Sequence, residues 1–304
     1  MRIGGPIFIK SRKIEDLVAE HRKFGFGAAY VDFIEDPAER EEYIHAFSEA
    51  DIQLAEFGAY CINILDTDPV LRQKNIDEIC RRLERADMMG ANCCVMHGGT
   101  LETGRWGTAN KDNLSEQSFL ETVRIVQSIV DKVKPQKAKL VMETESYLLP
   151  DGPEEYLRLI KAIDRKAFAA HYDPVNIISS PRRYYFNSEF MKLSFALLGD
   201  HIVSCHAKDL NMAPVYPTVR IDETFIGDGV LDYNTYLREI MKLNPQPTLM
   251  IEHLNESQLI RGTRFIFRKA DENGIIFEGS AMREERSETD AQGTYFAPHM
   301  PTAE

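Results

Sequence analysis

Four side chains that can bind a metal follow short apolar runs in the second half of the chain. Glu143 ends the run LVME, Asp173 ends AAHYD, His206 ends IVSCH and Glu252 ends TLMIE, at spacings of 30, 33 and 46 residues. Three carboxylates in one site would oppose each other's ionisation unless a cation lay between them. Carboxylate oxygens with one imidazole favour Mn²⁺, with Mg²⁺, Co²⁺ or Zn²⁺ as alternatives. We therefore predict a site for one divalent ion, with coordination positions open to substrate oxygens.

These four residues meet only if the runs that precede them are neighbouring strands. Eight runs are short and several are apolar on successive positions, which is typical of strands buried on both faces of a parallel sheet. They are Arg2–Ile9, Ala28–Phe33, Gln53–Tyr60, Asn92–His97, Leu140–Glu145, Phe168–Asp173, Ile202–His206 and Thr248–Glu252. The segments between them have helical spacing, as in 68–89, where Leu71, Ile76 and Leu83 share a face.

Eight strand–helix alternations without a flexible linker predict one α/β fold, a (β/α)8 TIM barrel, whose strand ends converge around the barrel axis. A doubly wound open sheet is the alternative, but no G-x-G-x-x-G turn follows an early strand. We assign residues 1–275 to the barrel, which is the catalytic domain. Residues 276–304 are a C-terminal extension that is either flexible or packed on a neighbouring subunit, and we expect a homo-oligomer.

Composition argues against several classes of protein. The 304-residue chain has 36 basic and 48 acidic residues and a net charge of −12, so it repels phosphate backbones and nucleic acid is a poor partner. No apolar run approaches the roughly 18 residues of a membrane span, and the N-terminus lacks the apolar core of a signal peptide. The five cysteines include no C-x-x-C pair, which is typical of buried reduced thiols and of a cytoplasmic protein.

Three motifs carry a resemblance to a known family. They are DPVN at Asp173–Asn176, HAKD at His206–Asp209 and GDGVLDY at Gly227–Tyr233. With the order Glu, Asp, His, Glu at the ends of the last four strands, the chain resembles the xylose isomerase-like TIM-barrel superfamily. This superfamily includes the sugar phosphate isomerases and epimerases. The resemblance covers roughly residues 1–275.

This resemblance implies a sugar substrate and a metal-dependent proton transfer. In the ketose epimerases of the family, the positions that match Glu143 and Glu252 are both metal ligands and acid–base groups, while those that match Asp173 and His206 are ligands only. One carboxylate removes a proton beside a carbonyl, an enediolate forms, and the other returns a proton. His97, after the fourth strand, matches a position where family members often carry a histidine, and we predict a catalytic role for it.

Departures from the family and a second resemblance leave the reaction open. Endonuclease IV, a DNA-repair member, needs more histidines, and here Asn176 and Val230 stand where histidine is expected. The pieces IGGPIF, SPRRYY and SCHAKD resemble the large subunits of C-glycoside deglycosidases. That branch implies elimination of the aglycone from a 3-keto-glycoside and a small β-rich partner subunit. A sugar isomerase or epimerase is therefore the first hypothesis, this lyase the second, and a non-catalytic sugar-binding protein the third.

Five further residues are predicted to contact the substrate. They are Lys208, Asn176, Glu56 in AEFGAY, Trp106 in GRWG, and Arg182 in SSPRRYY. Lys208 offers an ammonium for a hydroxyl or an anionic group, and Trp106 an apolar wall against a sugar face. Arg182 can grip an anion, but a solvated loop residue is an equally good interpretation. Glu145 lies on the same face of its strand as Glu143 and competes with it as a ligand, although Glu143 directly follows the apolar run.

Overall fold

Eight parallel strands close into a barrel at the centre of the protein. The computed structural model describes residues 1–213 and 218–280. The barrel strands are β1 (Ile3–Gly4), β2 (Ala28–Tyr30), β3 (Gln53–Ala59), β4 (Cys93–Met96), β5 (Lys139–Met142), β6 (Phe168–Tyr172), β7 (Ile202–Ala207) and β10 (Thr248–Ile251). Between β7 and β10 in sequence, β8 (Asp209–Met212) and β9 (Ile221–Thr224) form an antiparallel hairpin. Barrel strands pair in chain order, and β1 closes the ring against β10. The predicted α/β TIM barrel is confirmed.

Helices connect the strands and form the outer layer. They are α1 (Ile14–Lys23), α2 (Pro37–Glu49), α3 (Pro69–Met89), α4 (Glu116–Val133), α5 (Pro153–Ile163), α6 (Pro174–Ile177), α7 (Pro181–Tyr185), α8 (Asn187–Leu198), α9 (Tyr233–Met241) and α10 (Glu256–Glu272). Their ends follow ordinary capping chemistry. The Asp68 carboxylate accepts two backbone N–H groups at the start of α3, and Gly90 ends that helix with a φ of 69°.

Two distinct layers of side chains are buried. Large apolar residues such as Phe47, Leu83 and Tyr156 fill the space between the barrel and its helices. Inside the barrel, part of the space is filled by a small cluster of Cys93, Val95, Val141 and Ala169. A second small apolar cluster consists of Ala28, Ala55 and Met250. Buried polar side chains lie beside these clusters, and they are Glu56, His171, Ser204, His206 and Thr248. Branched aliphatic residues dominate most TIM-barrel interiors, so this polar part requires explanation.

Two connections contain more structure than the sequence predicted. The long loop expected at 211–229 carries most of the β8–β9 hairpin, and the chain after β6 forms the two short helices α6 and α7. Residues 281–304, most of the predicted C-terminal extension, lie outside the described residues, so the division of the chain near residue 275 stays a prediction. No helix within the described ranges is long and apolar enough to cross a membrane.

Candidate metal centre

Four neighbouring barrel strands deliver the four predicted ligands to one place. Glu143, Asp173 and Glu252 directly follow β5, β6 and β10, and His206 is the penultimate residue of β7. Because these strands are adjacent and parallel, their carboxyl ends meet at the same rim of the barrel. One ligand atom from each residue lies within 4.8 Å of those of the other three. The structure therefore brings together the residues that the strand spacing grouped.

The two carboxylate oxygens of Asp173 have different surroundings. Oδ1 accepts the backbone N–H groups of Val175 (2.9 Å) and Asn176 (3.2 Å), and so caps α6. Oδ2 lies 2.8 Å from the Lys208 ammonium and 3.7 Å from His206 Nδ1. The DPVN motif therefore fixes this carboxylate through one oxygen and leaves the other for a cation.

The imidazole of His206 has carboxylates on both sides. Its Nδ1 lies 2.9 Å from Glu252 Oε1 and 3.2 Å from Glu143 Oε1, while its Nε2 lies 3.2 Å from Glu56 Oε2. The ring is fully buried. Burial would lower the pKa of His206, but the carboxylates, with Glu252 first among them, raise that pKa well above its usual value.

A lysine ammonium lies among the same carboxylates. Lys208 Nζ is 2.8 Å from Asp173 Oδ2, 3.7 Å from Glu143 Oε1, and in direct contact with Glu252 Oε1. It also donates to Asn176 Oδ1 at 3.1 Å, and the Asn176 amide donates to Glu143 Oε1 at 2.9 Å. Burial opposes the charge, but the carboxylates raise the pKa of Lys208 above its usual value. This ammonium therefore competes with a metal ion for the same oxygens.

Two carboxylates of this centre, those of Asp173 and Glu252, have lowered pKa values although they are buried. Burial would raise the pKa of Asp173, but the Lys208 ammonium and His206 lower it to about 2. The pKa of Glu252 is likewise held well below its usual value, because His206 and Lys208 outweigh the effect of burial. With Glu143, three carboxylates face one imidazole and one ammonium. The centre therefore offers negative charge that a divalent ion would neutralise.

The available donor atoms fit a hard divalent cation. Asp173 Oδ2 and Glu252 Oε1 are buried oxygens, and each faces the Lys208 ammonium and His206 Nδ1. Buried polar atoms normally have partners, and carboxylate oxygens with one imidazole nitrogen are ligands that Mn²⁺ and Mg²⁺ accept. The geometry suits such an ion, and the identity of the metal stays a prediction.

A cavity of about 500 Å³ opens onto the centre, a volume typical of small-molecule sites. One part of its wall is polar and consists of Glu143, Asn176, Lys208 and Glu252. Another part is aromatic and consists of Tyr60, Trp106 and Tyr147. The remaining lining residues are Cys61, His97, Glu145, Ser146 and His253. A ligand of this cavity would meet charged oxygens at one part and flat apolar rings at another. That combination suits a sugar, which presents both hydroxyl groups and an apolar face.

His97 is held in this cavity by a carboxylate and two aromatic rings. Its Nδ1–H donates to Glu145 Oε1 at 2.5 Å, and its ring centroid lies 5.0 Å from that of Trp106 and 5.5 Å from that of Tyr60. Burial opposes protonation, but the hydrogen bond to Glu145 raises the pKa of His97. Because Glu145 is engaged by His97, the geometry favours Glu143 over Glu145 as the metal ligand.

Three of the five predicted substrate contacts line the cavity and two do not. Lys208, Asn176 and Trp106 belong to its wall. Glu56 is only 1% exposed and lies inside the barrel against His206 Nε2, outside the cavity wall, so its substrate contact stays a prediction. Arg182 is exposed on α7 and is not part of the cavity wall, so its substrate contact likewise stays a prediction.

Sequence reasoning missed two histidines. His171 lies two positions before Asp173, and its ring packs edge-on against His206 with centroids 4.0 Å apart. Period-two alternation along β6 would have placed it on the same face as Asp173. His253, which follows the last predicted ligand, has a φ of 59°, lines the cavity and donates from Nδ1 to Glu223 Oε2 at 3.0 Å.

Asp209, the last residue of the HAKD motif, has a structural function. Its buried carboxylate accepts the backbone N–H groups of Gly227 (2.9 Å), Gly229 (3.1 Å) and Leu231 (3.0 Å). A Cβ atom on Gly229 would lie 2.0 Å from Asp209 Oδ1, so only glycine fits this close approach. Asp209 therefore holds the GDG turn against the chain next to Lys208. These hydrogen bonds join the HAKD motif to the GDGVLDY motif.

Comparison with known proteins supports this architecture. A family model described as xylose isomerase-like TIM barrel matches residues 18–277, and the chain therefore belongs to this family. No curated protein sequence matches the chain.

Solved structures with the same fold catalyse different reactions. The probable 3-DHS dehydratase AsbF from Bacillus anthracis has 15% identity and a TM-score of 0.66, covering 87% of this chain and 98% of its own. Endonuclease IV from Thermus thermophilus has 14% identity and a TM-score of 0.67, with 90% and 100% coverage. The 3-keto-D-glucoside 4-epimerase YcjR from E. coli has 16% identity and a TM-score of 0.63, with 89% and 99% coverage. At these identities the likeness shows the fold alone.

Proposed function

We propose that this protein is a divalent-metal-dependent enzyme that isomerises or epimerises a sugar by moving a proton beside a carbonyl. The observation that carries this proposal is the pair Glu143 and Glu252, which both line the cavity and both lie within 3.2 Å of His206 Nδ1. Two carboxylates at one substrate cavity can remove and return a proton. Membership of the xylose isomerase-like family and the likeness to a sugar epimerase support the same class of reaction.

In this proposal the side chains have separate tasks. Glu143 and Glu252 exchange the proton with the substrate carbon, while Asp173 and His206 complete the set that holds the ion, with Mn²⁺ as the first choice. A divalent ion supplies positive charge beside the carbonyl oxygen, which makes removal of the adjacent proton less costly. The Lys208 ammonium and the amide of Asn176 bind substrate oxygens, and Trp106 packs on an apolar face of the sugar.

A lyase that acts on a 3-keto-glycoside is the second candidate. The aromatic wall of Tyr60, Trp106 and Tyr147 favours it, because this wall offers space and flat apolar contacts for an aglycone beside the polar centre. The proton abstraction would be the same, but the aglycone would then leave with a proton, and His97, which lines the same cavity, is the proposed donor. The likeness to a probable dehydratase, which is also an elimination catalyst, supports this candidate as well.

Incubation of the Mn²⁺-loaded enzyme with keto-sugars and, separately, with 3-keto-glycosides in D₂O separates these reactions. Epimerisation or isomerisation places deuterium on the carbon beside the carbonyl, which NMR detects, whereas the lyase releases a free aglycone. Glu143→Gln and Glu252→Gln should each lower kcat by about 10²–10⁴-fold, because each removes an acid–base group. Glu239→Gln, the same change on the outer helix α9, should retain activity.

Two results would count against this proposal. Full activity in both Gln variants would end the catalytic assignment of the two carboxylates. Sugar binding without deuterium exchange or aglycone release would favour the third hypothesis, a non-catalytic sugar-binding protein. A homo-oligomeric state, a small partner subunit, the absence of a nucleic-acid partner and a cytoplasmic location stay predictions.

A further inference from the structure

Glu56 is a buried carboxylate that the proposed reaction does not use. It lies in the middle of β3 and is 1% exposed. Its Oε2 lies 3.2 Å from His206 Nε2, and its Oε1 accepts a hydrogen bond from the hydroxyl of Ser204. Its Oε1 also lies 3.4 Å from His171 Nε2, and the hydroxyl of Tyr60 donates to Oε2 at 3.5 Å. Glu56 therefore contacts Nε2 of the His206 ring, whereas Glu143, Asp173 and Glu252 lie near its Nδ1.

A carboxylate buried so completely must have donors, because an unpaired charge in a protein interior is strongly unfavourable. Burial opposes the ionisation of Glu56, but His206 and His171 keep its pKa below the usual value. The His206 ring presents Nε2 to Glu56 and Nδ1 to Glu143 and Glu252. Because Glu56 engages Nε2, Nδ1 is the ring nitrogen that remains to face the carboxylates of the metal centre.

We infer that Glu56 is a positioning residue, which holds His206 so that its Nδ1 lone pair points at the three carboxylates of the metal centre. The inference rests on the proposed metal centre, and it goes beyond that centre by naming a residue that makes no contact with the ion or the substrate. A carboxylate that accepts the second N–H of a metal-binding histidine fixes the tautomer and the ring orientation. Ser204 and Tyr60 in turn fix the carboxylate of Glu56.

The competing interpretation is a second ion bound by Glu56, His171 and His206, whose ligand atoms also lie within 4.8 Å of one another. Two observations favour the positioning role. Glu56 Oε1 is already engaged by Ser204, and His206 would have to bind one ion through each ring nitrogen. One ion per chain is therefore expected.

Calorimetric titration of Mn²⁺ into the metal-stripped full-length protein tests this inference. The wild type should bind one ion per chain, and Glu56→Gln should bind it about 10–100-fold more weakly, as is typical when the partner of a metal-binding histidine is removed. Ser204→Ala keeps the Glu56 charge and removes one hydrogen bond to it, so a loss of about fivefold is expected. Glu239→Gln on α9 is the matched control and should bind like the wild type.

A spectroscopic signature separates positioning from a general loss of stability. With Zn²⁺ bound and ¹⁵N-labelled histidine, the wild type should show His206 with a proton on Nε2 and none on Nδ1. In Glu56→Gln the Nε2 proton should exchange faster with solvent and its resonance should shift. A lower Tm in Glu56→Gln with an unchanged Mn²⁺ affinity and an unchanged Nε2 resonance would overturn the inference.

The outcomes distinguish this inference from the proposal on which it rests. No ion bound by the wild type would refute the metal centre itself. One ion bound equally well by the wild type, Glu56→Gln and Ser204→Ala would refute the positioning role alone. Two ions per chain would overturn it in favour of the second site. If Glu56→Gln fails to fold, Ser204→Ala alone decides, and wild-type affinity in that variant refutes the role.

Discussion

Two buried histidines, in different parts of the molecule, have opposite surroundings. His21 lies on α1, is 3% exposed, and packs edge-on against Phe47 and Phe26 with ring centroids 5.4 and 6.5 Å away. Its Nδ1–H donates to the backbone oxygen of Leu17 at 2.8 Å. Burial lowers its pKa, so the ring is neutral in the folded protein. His206 is buried as fully, but the carboxylates around it raise its pKa.

This difference teaches that burial alone does not define a functional site. The fold places His21 among aromatic rings, where a neutral imidazole completes the packing between α1 and the barrel. Four barrel strands place carboxylates around His206. These carboxylates raise the pKa of His206, which apolar neighbours could not do. The charged groups around a buried residue, and not its exposure, therefore separate the proposed centre from the core.

After the Gln variants of Glu143 and Glu252, the largest effect on kcat is expected from a change of Lys208. Its ammonium lies among the carboxylates of the metal centre. Lys208→Met should lower kcat by about 10²–10³-fold, the usual cost of removing one oriented donor from an active site. The same change should strengthen Mn²⁺ binding by about tenfold, since a competing cation has been removed from Asp173 and Glu252. Steady-state kinetics and calorimetry give the two values.

Lys242→Met is the control for this prediction, since Lys242 is exposed on the outside of the barrel and pairs with Glu239. It should change neither kcat nor Mn²⁺ affinity. Weaker Mn²⁺ binding in Lys208→Met would contradict the competition between ammonium and metal, and would show that Lys208 supports the ion.

A smaller effect, confined to stability, is expected from His21. Because the folded-state pKa of His21 is lowered, the unfolded chain takes up this proton first as the pH falls below about 6.5. The contribution of His21 to stability is therefore complete above that pH and is lost below it. His21→Gln should flatten the loss of Tm between about pH 6.5 and 5, with a change in stability on the order of 1 kcal/mol.

Thermal unfolding of the wild type and His21→Gln across this pH range measures the difference. Mn²⁺ affinity and turnover at neutral pH should be the same in both proteins. A changed affinity in His21→Gln would break the distinction between the two histidines, because it would couple the packing of α1 to the metal centre.

The sequence contained enough information for the fold and for the order of the predicted ligands. Short apolar runs predicted eight strands, and the structure places Glu143, Asp173, His206 and Glu252 together because parallel strands share one rim. The position of a side chain along its strand, relative to the rim of the barrel, was harder to predict. Glu56 was expected to contact the substrate, but it lies in the middle of β3, and its carboxylate reaches the interior instead of the cavity.

Contacts between distant parts of the chain were not predictable from spacing. The hydrogen bond from His97 to Glu145 joins residues that follow β4 and β5, and it depends on the register in which these two strands pair. The exposure of Arg182 follows from the short helix α7, which the loop-like composition of that segment did not indicate. Period-two alternation was a usable signal for His171, since it lies two positions before Asp173.

The central claim is that the four-residue centre binds one divalent ion, and calorimetric titration of Mn²⁺ into the metal-stripped wild type and Asp173→Asn tests it most directly. Asparagine also caps helices well, so the variant should keep α6 and lose only the charge. We predict that the wild-type chain binds one ion. Asp173→Asn should lower the Mn²⁺ affinity by more than the roughly 10–100-fold that is typical when a hydrogen-bond partner of a metal ligand is removed. No ion bound by the wild type, or equal binding by both proteins, would contradict the claim.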